Sequence, residues 1–253
     1  MNDLTTDSEI SATDPQSRGL LDWLVPALLP AAAVALMGAI GAGWAVMLGA
    51  MGVHGLITAL VAHQQHRHRA VFGVASQVTL ARSGLVVVLA AALLEPALYR
   101  EQGWLMAGLA LLALALDGVD GWLARRHGEI SAFGARFDME TDAALILVLC
   151  LAVLAAGQAG SWVLAIGVMR YAFVAAAQIW PWLEAPLPTS FRRKLACVWQ
   201  VGALLICLLP PIGPAAATLI LGSALAFLAA SFAIDVAWLA RHRNDTSELT
   251  EDL

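Results

Sequence analysis

Long apolar runs, separated by short polar segments, occupy most of the chain from residue 23 onward. A helix that crosses a bilayer needs about 20 apolar residues. Six runs approach or reach this length: 77–94, 103–120, 139–157, 161–180, 195–210 and 214–239. An earlier stretch, 23–62, is long enough for a tight helical hairpin that breaks at Gly41-Ala42-Gly43. The pattern predicts an all-α integral membrane protein of about eight transmembrane helices, two plus six.

The composition agrees with this pattern. The chain has 253 residues, of which 60% are hydrophobic and 13% charged, and its mean hydropathy is +0.76. A soluble domain carries about 25% charged residues, so soluble, disordered and disulfide-rich classes are excluded. The net charge of −5 comes from two polar tails, 1–22 and 244–253, which hold nine acids and one base. We therefore expect a lipid bilayer as partner and no nucleic acid.

The basic residues predict the orientation in the membrane. They cluster at 63–69, 125–136, 192–194 and 241–243, which are alternate loops of the predicted bundle. Basic loops face the cytoplasm, so both termini are predicted to be cytoplasmic, with a bacterial inner membrane as the expected location. Residues 63–74 then form a basic cytoplasmic linker between the hairpin and the six later helices.

Four aspartates lie around one predicted cytoplasmic helix-loop-helix. At about 100° per residue, five positions of the first helix share one arc of about 140°: Asp117, Asp120, Gly121, Ala124 and Arg125. Three positions of the second helix form one stripe: Gly134, Asp138 and Asp142. Two facing helices thus present four carboxylates and three small residues to one space.

Carboxylates so close together cannot all stay ionised without cations. All-oxygen ligands favour Mg²⁺ or Mn²⁺, and four carboxylates can hold the two metals that clamp the oxygens in phosphoryl transfer. The small residues leave room for a substrate, and Arg125 suits a phosphate. The alternatives are interhelical salt bridges with nearby arginines and, for function, a divalent-cation transporter that uses the same acids.

The segment 117–142 resembles the signature of the CDP-alcohol phosphotransferase family, D-x2-D-G-x2-A-R-x8-G-x3-D-x3-D. Thr79-Leu80-Ala81-Arg82 is similar to the Thr-x-x-Arg that opens the family's core. The resemblance implies a six-helix catalytic core at 75–243, to which the 23–62 hairpin is an addition, and a homodimer. It also implies a reaction, in which an alcohol acceptor displaces CMP from a CDP-linked donor, usually CDP-diacylglycerol.

The resemblance implies roles for the signature residues. Asp117, Asp120 and Asp138 correspond to ligands of two divalent cations, and Asp142 to a general base that also touches metal. The nucleotide-binding positions correspond to Gly121, Ala124, Arg125 and Gly134. Thr79 and Arg82 are candidates either for nucleotide contacts or for capping and snorkelling.

The remaining basic residues indicate what kind of acceptor the protein uses. Arg170 lies in the middle of an apolar run, where it binds an acceptor phosphate or pairs with one of the aspartates. Three bases precede the fifth core helix and either bind phosphate or anchor the helix: Arg192, Arg193 and Lys194. These charges favour a phosphorylated polyol, such as glycerol phosphate or inositol phosphate, over an uncharged or cationic alcohol. Serine and phosphatidylglycerol are the alternative acceptors. Asp235 is predicted to pair with Arg241 near the end of the last helix, with a role in shaping the acceptor pocket as the alternative.

Overall fold

The computed structural model describes residues 24–68, 74–127 and 132–251, and these form helices and short connections. The nine α-helices of this part of the chain are α1 Leu24–Ala39, α2 Trp44–His68, α3 Val74–Ala92, α4 Ala97–Glu101, α5 Gly103–His127, α6 Ala132–Ala155, α7 Leu164–Ile179, α8 Phe191–Cys207 and α9 Pro214–Glu251. Short 3₁₀ helices, Ser161–Val163 and Pro181–Glu184, flank α7. The predicted tail 1–22 and most of the basic linker's second half, 69–73, lie outside the described residues.

Each of the six predicted core runs overlaps one long helix, and the short α4 was not predicted. Three described segments are long and apolar enough to cross a bilayer: Trp44–Gln64, Ser161–Ile179 and Pro214–His242. Three shorter apolar segments are Pro26–Ala39, Ser76–Ala92 and Gly103–Val119. The chain is therefore an all-helical integral membrane protein in its described part, while the count of eight spans stays a prediction.

Helix α3 lies at the centre of the bundle. It packs against α1 and α2 on the hairpin side and against α5 and α6 on the other. Every residue from 77 to 89 is buried, and Arg82 is the one charged residue in the helix. A buried charge needs a compensating partner, so the surroundings of Arg82 must be supplied by neighbouring helices.

The hairpin turns at Gly41-Ala42-Gly43, where the sequence predicted the break. Gly41 has φ of +90°, a left-handed conformation that glycine adopts without strain. The Ala42 N–H donates to the Met37 carbonyl at 3.0 Å, and the Gly41 N–H donates to the Gly38 carbonyl at 3.1 Å. This pair of bonds is a Schellman motif, which satisfies the last carbonyls of α1 and confirms the predicted break.

The turn of the hairpin is also tied to the core. The backbone N–H of Gly43, just before α2, donates to Glu95 Oε1 at 2.9 Å. A carboxylate at a helix N-terminus satisfies an otherwise unbonded donor and complements the helix dipole. Tyr99 lies in the same segment between α3 and α5. Its hydroxyl donates to the Leu89 carbonyl, and burial raises the pKa of that hydroxyl. The connection between α3 and α5 is thereby bonded to the end of α3 and to the start of α2.

A proline and a histidine join the two helices of the hairpin. Pro30 lies inside α1 and has no N–H, so the Pro26 carbonyl lacks its intrahelical donor. His54 of α2 supplies one, because its Nε2 lies 3.0 Å from that carbonyl. A carbonyl only accepts, so Nε2 carries the proton. Both Pro30 and His54 press on Gly84 of α3, where a Cβ would overlap them.

The His54 bond predicts a specific coupling in stability. His54→Leu should lower the free energy of unfolding by about 1–3 kcal/mol, because it leaves a buried carbonyl without a donor. In a Pro30→Ala background the new N–H can reach the Pro26 carbonyl, so the same substitution should cost less. Unfolding of the four variants in detergent micelles measures this coupling. Equal costs of His54→Leu in both backgrounds would contradict the assignment.

Candidate functional site

Three of the four signature aspartates meet between two helices. Asp117 comes from α5, and Asp138 and Asp142 come from successive turns of α6. One carboxylate oxygen from each lies within 4.8 Å of the others. This is the arrangement that the helical spacing predicted. The side chain of Asp120, one turn beyond Asp117, lies outside the described part of the structure.

Arg82 joins these three carboxylates. Its guanidinium is fully buried and forms ion pairs with Asp117, Asp138 and Asp142. Nη1 donates to Asp117 Oδ1 and, at 2.7 Å, to Asp142 Oδ1. Nη2 donates to Asp138 Oδ1 and approaches the Asp138 carbonyl at 3.5 Å. One side chain of α3 therefore connects to both α5 and α6.

The three carboxylates are partly exposed, although Arg82 is fully buried. Their side chains are 34%, 39% and 45% exposed for Asp117, Asp138 and Asp142 respectively. Three carboxylates and one guanidinium make a group with a formal excess of two negative charges. Clustered oxygen donors with excess negative charge and open faces fit hard divalent cations such as Mg²⁺ and Mn²⁺. These three residues would hold such an ion, with Asp120 as a further candidate from the sequence.

The predicted nucleotide-binding residues are only partly described. Gly121, Ala124 and Arg125 lie in the last turns of α5, and their side chains are outside the described part of the structure. Gly134 lies one turn before Asp138 on α6 and is half-buried. Their contacts with a nucleotide stay predictions.

Thr79 and Arg82 occupy the buried face of α3. Thr79 is 7% exposed and lies about one turn before Arg82, which has no exposed surface. The sequence analysis predicted either a nucleotide contact or snorkelling for Arg82. Neither role includes the observed bridge between three carboxylates. The sequence contained a partial signal, a lone arginine in an apolar helix and four acids in a later segment, but it did not show that the two meet.

A cavity of about 410 Å³ opens beside the carboxylates. Asp117 and Asp142 line it, and side chains of α5 to α9 form walls that are mostly apolar. Arg170 of α7 lies in the wall. Its Nη2 is 3.6 Å from Glu140 Oε1, and its buried Nε has no hydrogen-bond partner among the described residues. The predicted alternative, a pair with a signature aspartate, is replaced by this long contact with Glu140.

The two arginines at the start of α8 have protein partners. Arg192 donates from Nη1 to Ser231 Oγ at 2.6 Å and from Nη2 to Asp235 Oδ1 at 2.5 Å. Arg193 Nη1 lies 3.5 Å from the same Asp235 oxygen. These contacts join α8 to α9, and Asp235 is only 12% exposed. Lys194 is exposed.

The expected pair between Asp235 and Arg241 was wrong. Six residues along a helix turn through about 600°, so the two side chains point about 120° apart. Asp235 instead faces Arg192 across the helix interface. Among the predicted acceptor-phosphate residues, Arg170 is the one that lines the cavity beside the carboxylates.

The chain belongs to the CDP-alcohol phosphatidyltransferase family, whose model matches residues 72–234. The match begins just before α3 and leaves the hairpin of α1 and α2 outside it. Members are transferases of phospholipid synthesis that use divalent cations, with a CDP-alcohol as donor. The aspartate cluster is compatible with metal binding. No solved structure matches the chain.

Removal of the buried guanidinium tests whether it shares the carboxylates with a cation. Arg82→Met leaves three neighbouring carboxylates without their counter-charge, which should destabilise the protein by up to about 3–5 kcal/mol in the presence of a chelator. Saturating Mn²⁺ should restore part of that loss, because the ion supplies the missing positive charge. Thermal unfolding of wild type and variant, each with chelator and with Mn²⁺, gives the comparison. A deficit of the same size in both conditions would refute the shared site.

Proposed function

We propose that this family member transfers a phosphatidyl group from CDP-diacylglycerol to a phosphorylated polyol, such as glycerol phosphate or inositol phosphate, and releases CMP. The observation that carries the proposal is that Asp117, Asp142 and Arg170 line one and the same cavity. The cavity thus combines carboxylates that can hold metal ions near the donor's diphosphate with the guanidinium of Arg170, which can bind an acceptor phosphate.

The donor side of the proposal rests on the carboxylate cluster. Asp117, Asp120 and Asp138 are proposed to hold two divalent cations, Mg²⁺ or Mn²⁺, and Asp142 is proposed to touch one of them as well. Cations bound there would neutralise the diphosphate and stabilise negative charge on departing CMP. Gly121, Ala124, Arg125 and Gly134 are proposed to bind the nucleotide.

Asp142 is proposed as the general base. It lines the cavity, and its side chain is the most exposed of the three carboxylates described. As the acceptor oxygen bonds to the lipid-linked phosphorus, the hydroxyl proton passes to an Asp142 oxygen. The bond between that phosphorus and the bridging oxygen breaks, and CMP leaves with the oxygen. Arg82 holds Asp142 in place through its 2.7 Å bond.

The acceptor side of the proposal rests on Arg170. Its Nε is a buried donor with no partner in the described part of the chain, and its contact with Glu140 is long at 3.6 Å. A guanidinium with unused donors suits a phosphate group on the acceptor. By contrast, Arg192 and Arg193 are engaged by Asp235, so we assign them to joining α8 and α9.

The surroundings of the site suit a lipid donor. The cavity walls are predominantly aliphatic and aromatic and include Leu145, Ile166 and Phe232. Diacylglycerol chains can remain beside the bundle in the bilayer while the diphosphate reaches the aspartates. The basic loops favour a cytoplasmic position for the site, from which CMP leaves into water.

The first experiment measures CMP release from CDP-diacylglycerol with Mg²⁺ or Mn²⁺ and a panel of acceptors. Phosphorylated polyols should support release, while serine and unphosphorylated polyols should not. Arg170→Gln should raise the KM for the phosphorylated acceptor about 10- to 150-fold and leave the donor KM unchanged, because one charge-assisted contact is lost. Gln at this position keeps a similar length without the charge.

The controls separate two failures. No CMP with any acceptor, from well-folded wild-type protein, would contradict the reaction. An unchanged acceptor KM in Arg170→Gln would contradict the phosphate contact alone. Release with serine in place of phosphorylated polyols would establish the same family reaction with another acceptor.

The base assignment makes a separate prediction. Asp142→Asn should lower kcat about 10²- to 10⁴-fold, because an amide cannot take the proton of the acceptor hydroxyl. Mn²⁺ affinity should fall much less than kcat, which a binding titration measures independently. A variant that retains full kcat would refute the role of Asp142 as base.

A further inference from the structure

Gln200 of α8 is a buried polar side chain in the wall of the cavity beside the aspartates. It is only 6% exposed. Its Oε1 is buried and has no hydrogen-bond partner among the described residues. Buried polar atoms in native proteins are nearly always satisfied, so an exception in the wall of a cavity calls for an explanation, such as a group bound in that cavity that completes the bond.

The position of Gln200 indicates what that group is. The cavity that Gln200 lines also contains Asp142 and Arg170. Asp142 is an acceptor for a proton, and Arg170 Nε is a buried donor without a described partner. Gln200 Oε1 adds a neutral acceptor to this set. An alcohol phosphate with two hydroxyls satisfies all three groups at once: one hydroxyl for Asp142, the phosphate for Arg170 and the second hydroxyl for Gln200.

We infer that Gln200 is a specificity-determining residue that accepts a hydrogen bond from a hydroxyl of the acceptor other than the attacking one. The inference rests on the proposed function, because it deepens the description of the same acceptor site. It narrows the acceptor from any alcohol phosphate to a phosphorylated polyol. An analogue without the second hydroxyl would leave the amide oxygen unpaired in the complex, and such sites reject the analogue strongly.

The other polar side chains that line the cavity are less suited than Gln200 to accept a hydrogen bond from the second hydroxyl. The other polar side chain of α8 in the cavity is Cys197, one turn earlier, and a thiol is a weak hydrogen-bonding group. Asp117 is already assigned to the cations of the donor, and Asp142 to the attacking hydroxyl. Among the described residues that line the cavity, Gln200 therefore provides the neutral oxygen available to a hydroxyl.

The test compares two acceptors that differ by one hydroxyl. Wild-type kcat/KM is measured for glycerol phosphate and for 3-hydroxypropyl phosphate, which lacks the middle hydroxyl. We expect wild type to prefer glycerol phosphate by about 10-fold or more. Gln200→Met, which has similar length but no hydrogen-bonding amide, should bring the ratio close to one, with the KM for CDP-diacylglycerol unchanged. If wild type uses inositol phosphate instead, the same ratio is taken with its deoxy analogues.

Two further variants keep the test specific. Gln200→Glu retains an accepting oxygen and should retain the preference, even if overall activity falls. Gln158→Met is a matched control, because Gln158 also has a buried Oε1 without a described partner but does not line this cavity. Gln158→Met should keep the wild-type ratio.

The outcomes distinguish the inference from the function on which it rests. A wild-type protein that releases no CMP with any acceptor contradicts the proposed function. A wild-type protein that uses glycerol phosphate, with a preference that Gln200→Met leaves intact, overturns the role of Gln200 alone. A loss of preference in Gln158→Met as well would also overturn it, because the effect would then be general. If Gln200→Met is too unstable to assay, loss of preference in Gln200→Glu overturns it too.

Discussion

The ion pairs of Arg82 are the interaction on which the rest of the site depends. A guanidinium stays protonated, and a charge buried without partners is strongly destabilising. Arg82 has no exposed surface, and its partners come from α5 and from two successive turns of α6. The three helices must therefore keep one relative rotation and height for the charge to be satisfied. That requirement brings the carboxylates within reach of a single cation.

The same central helix carries the hairpin on its other face. Gly84 is two residues from Arg82 and admits Pro30 and His54 at close approach. The family match begins at residue 72, so the hairpin lies outside it and contacts α3 close to the residue that bridges the aspartates. Two hydrogen-bonding groups without described partners line the cavity in which we propose that the acceptor binds. Arg170 Nε and Gln200 Oε1 lack described partners, whereas Arg192 is satisfied by Ser231 and Asp235.

Much of this arrangement could be predicted from the sequence, because helical periodicity fixes which residues share a face. It correctly grouped Asp138 with Asp142, and the glycines located the hairpin turn at Gly41. Periodicity does not say which neighbour a face meets. For that reason the bridge from Arg82 was missed, and Asp235 was paired with Arg241 on its own helix instead of Arg192 on α8. Gln200 had no sequence signal, because its importance comes from a missing partner that only the packed structure reveals.

The central claim is that the carboxylates organised by Arg82 form a divalent metal site. The most direct test is an EPR titration that counts Mn²⁺ bound to the full chain in detergent. The account predicts tightly bound Mn²⁺ in wild type, loss of that ion in Asp138→Asn, and its retention in Asp235→Asn, a buried acid outside the cluster. No tightly bound Mn²⁺ in wild type, or the same Mn²⁺ affinity in Asp138→Asn as in wild type, would contradict it.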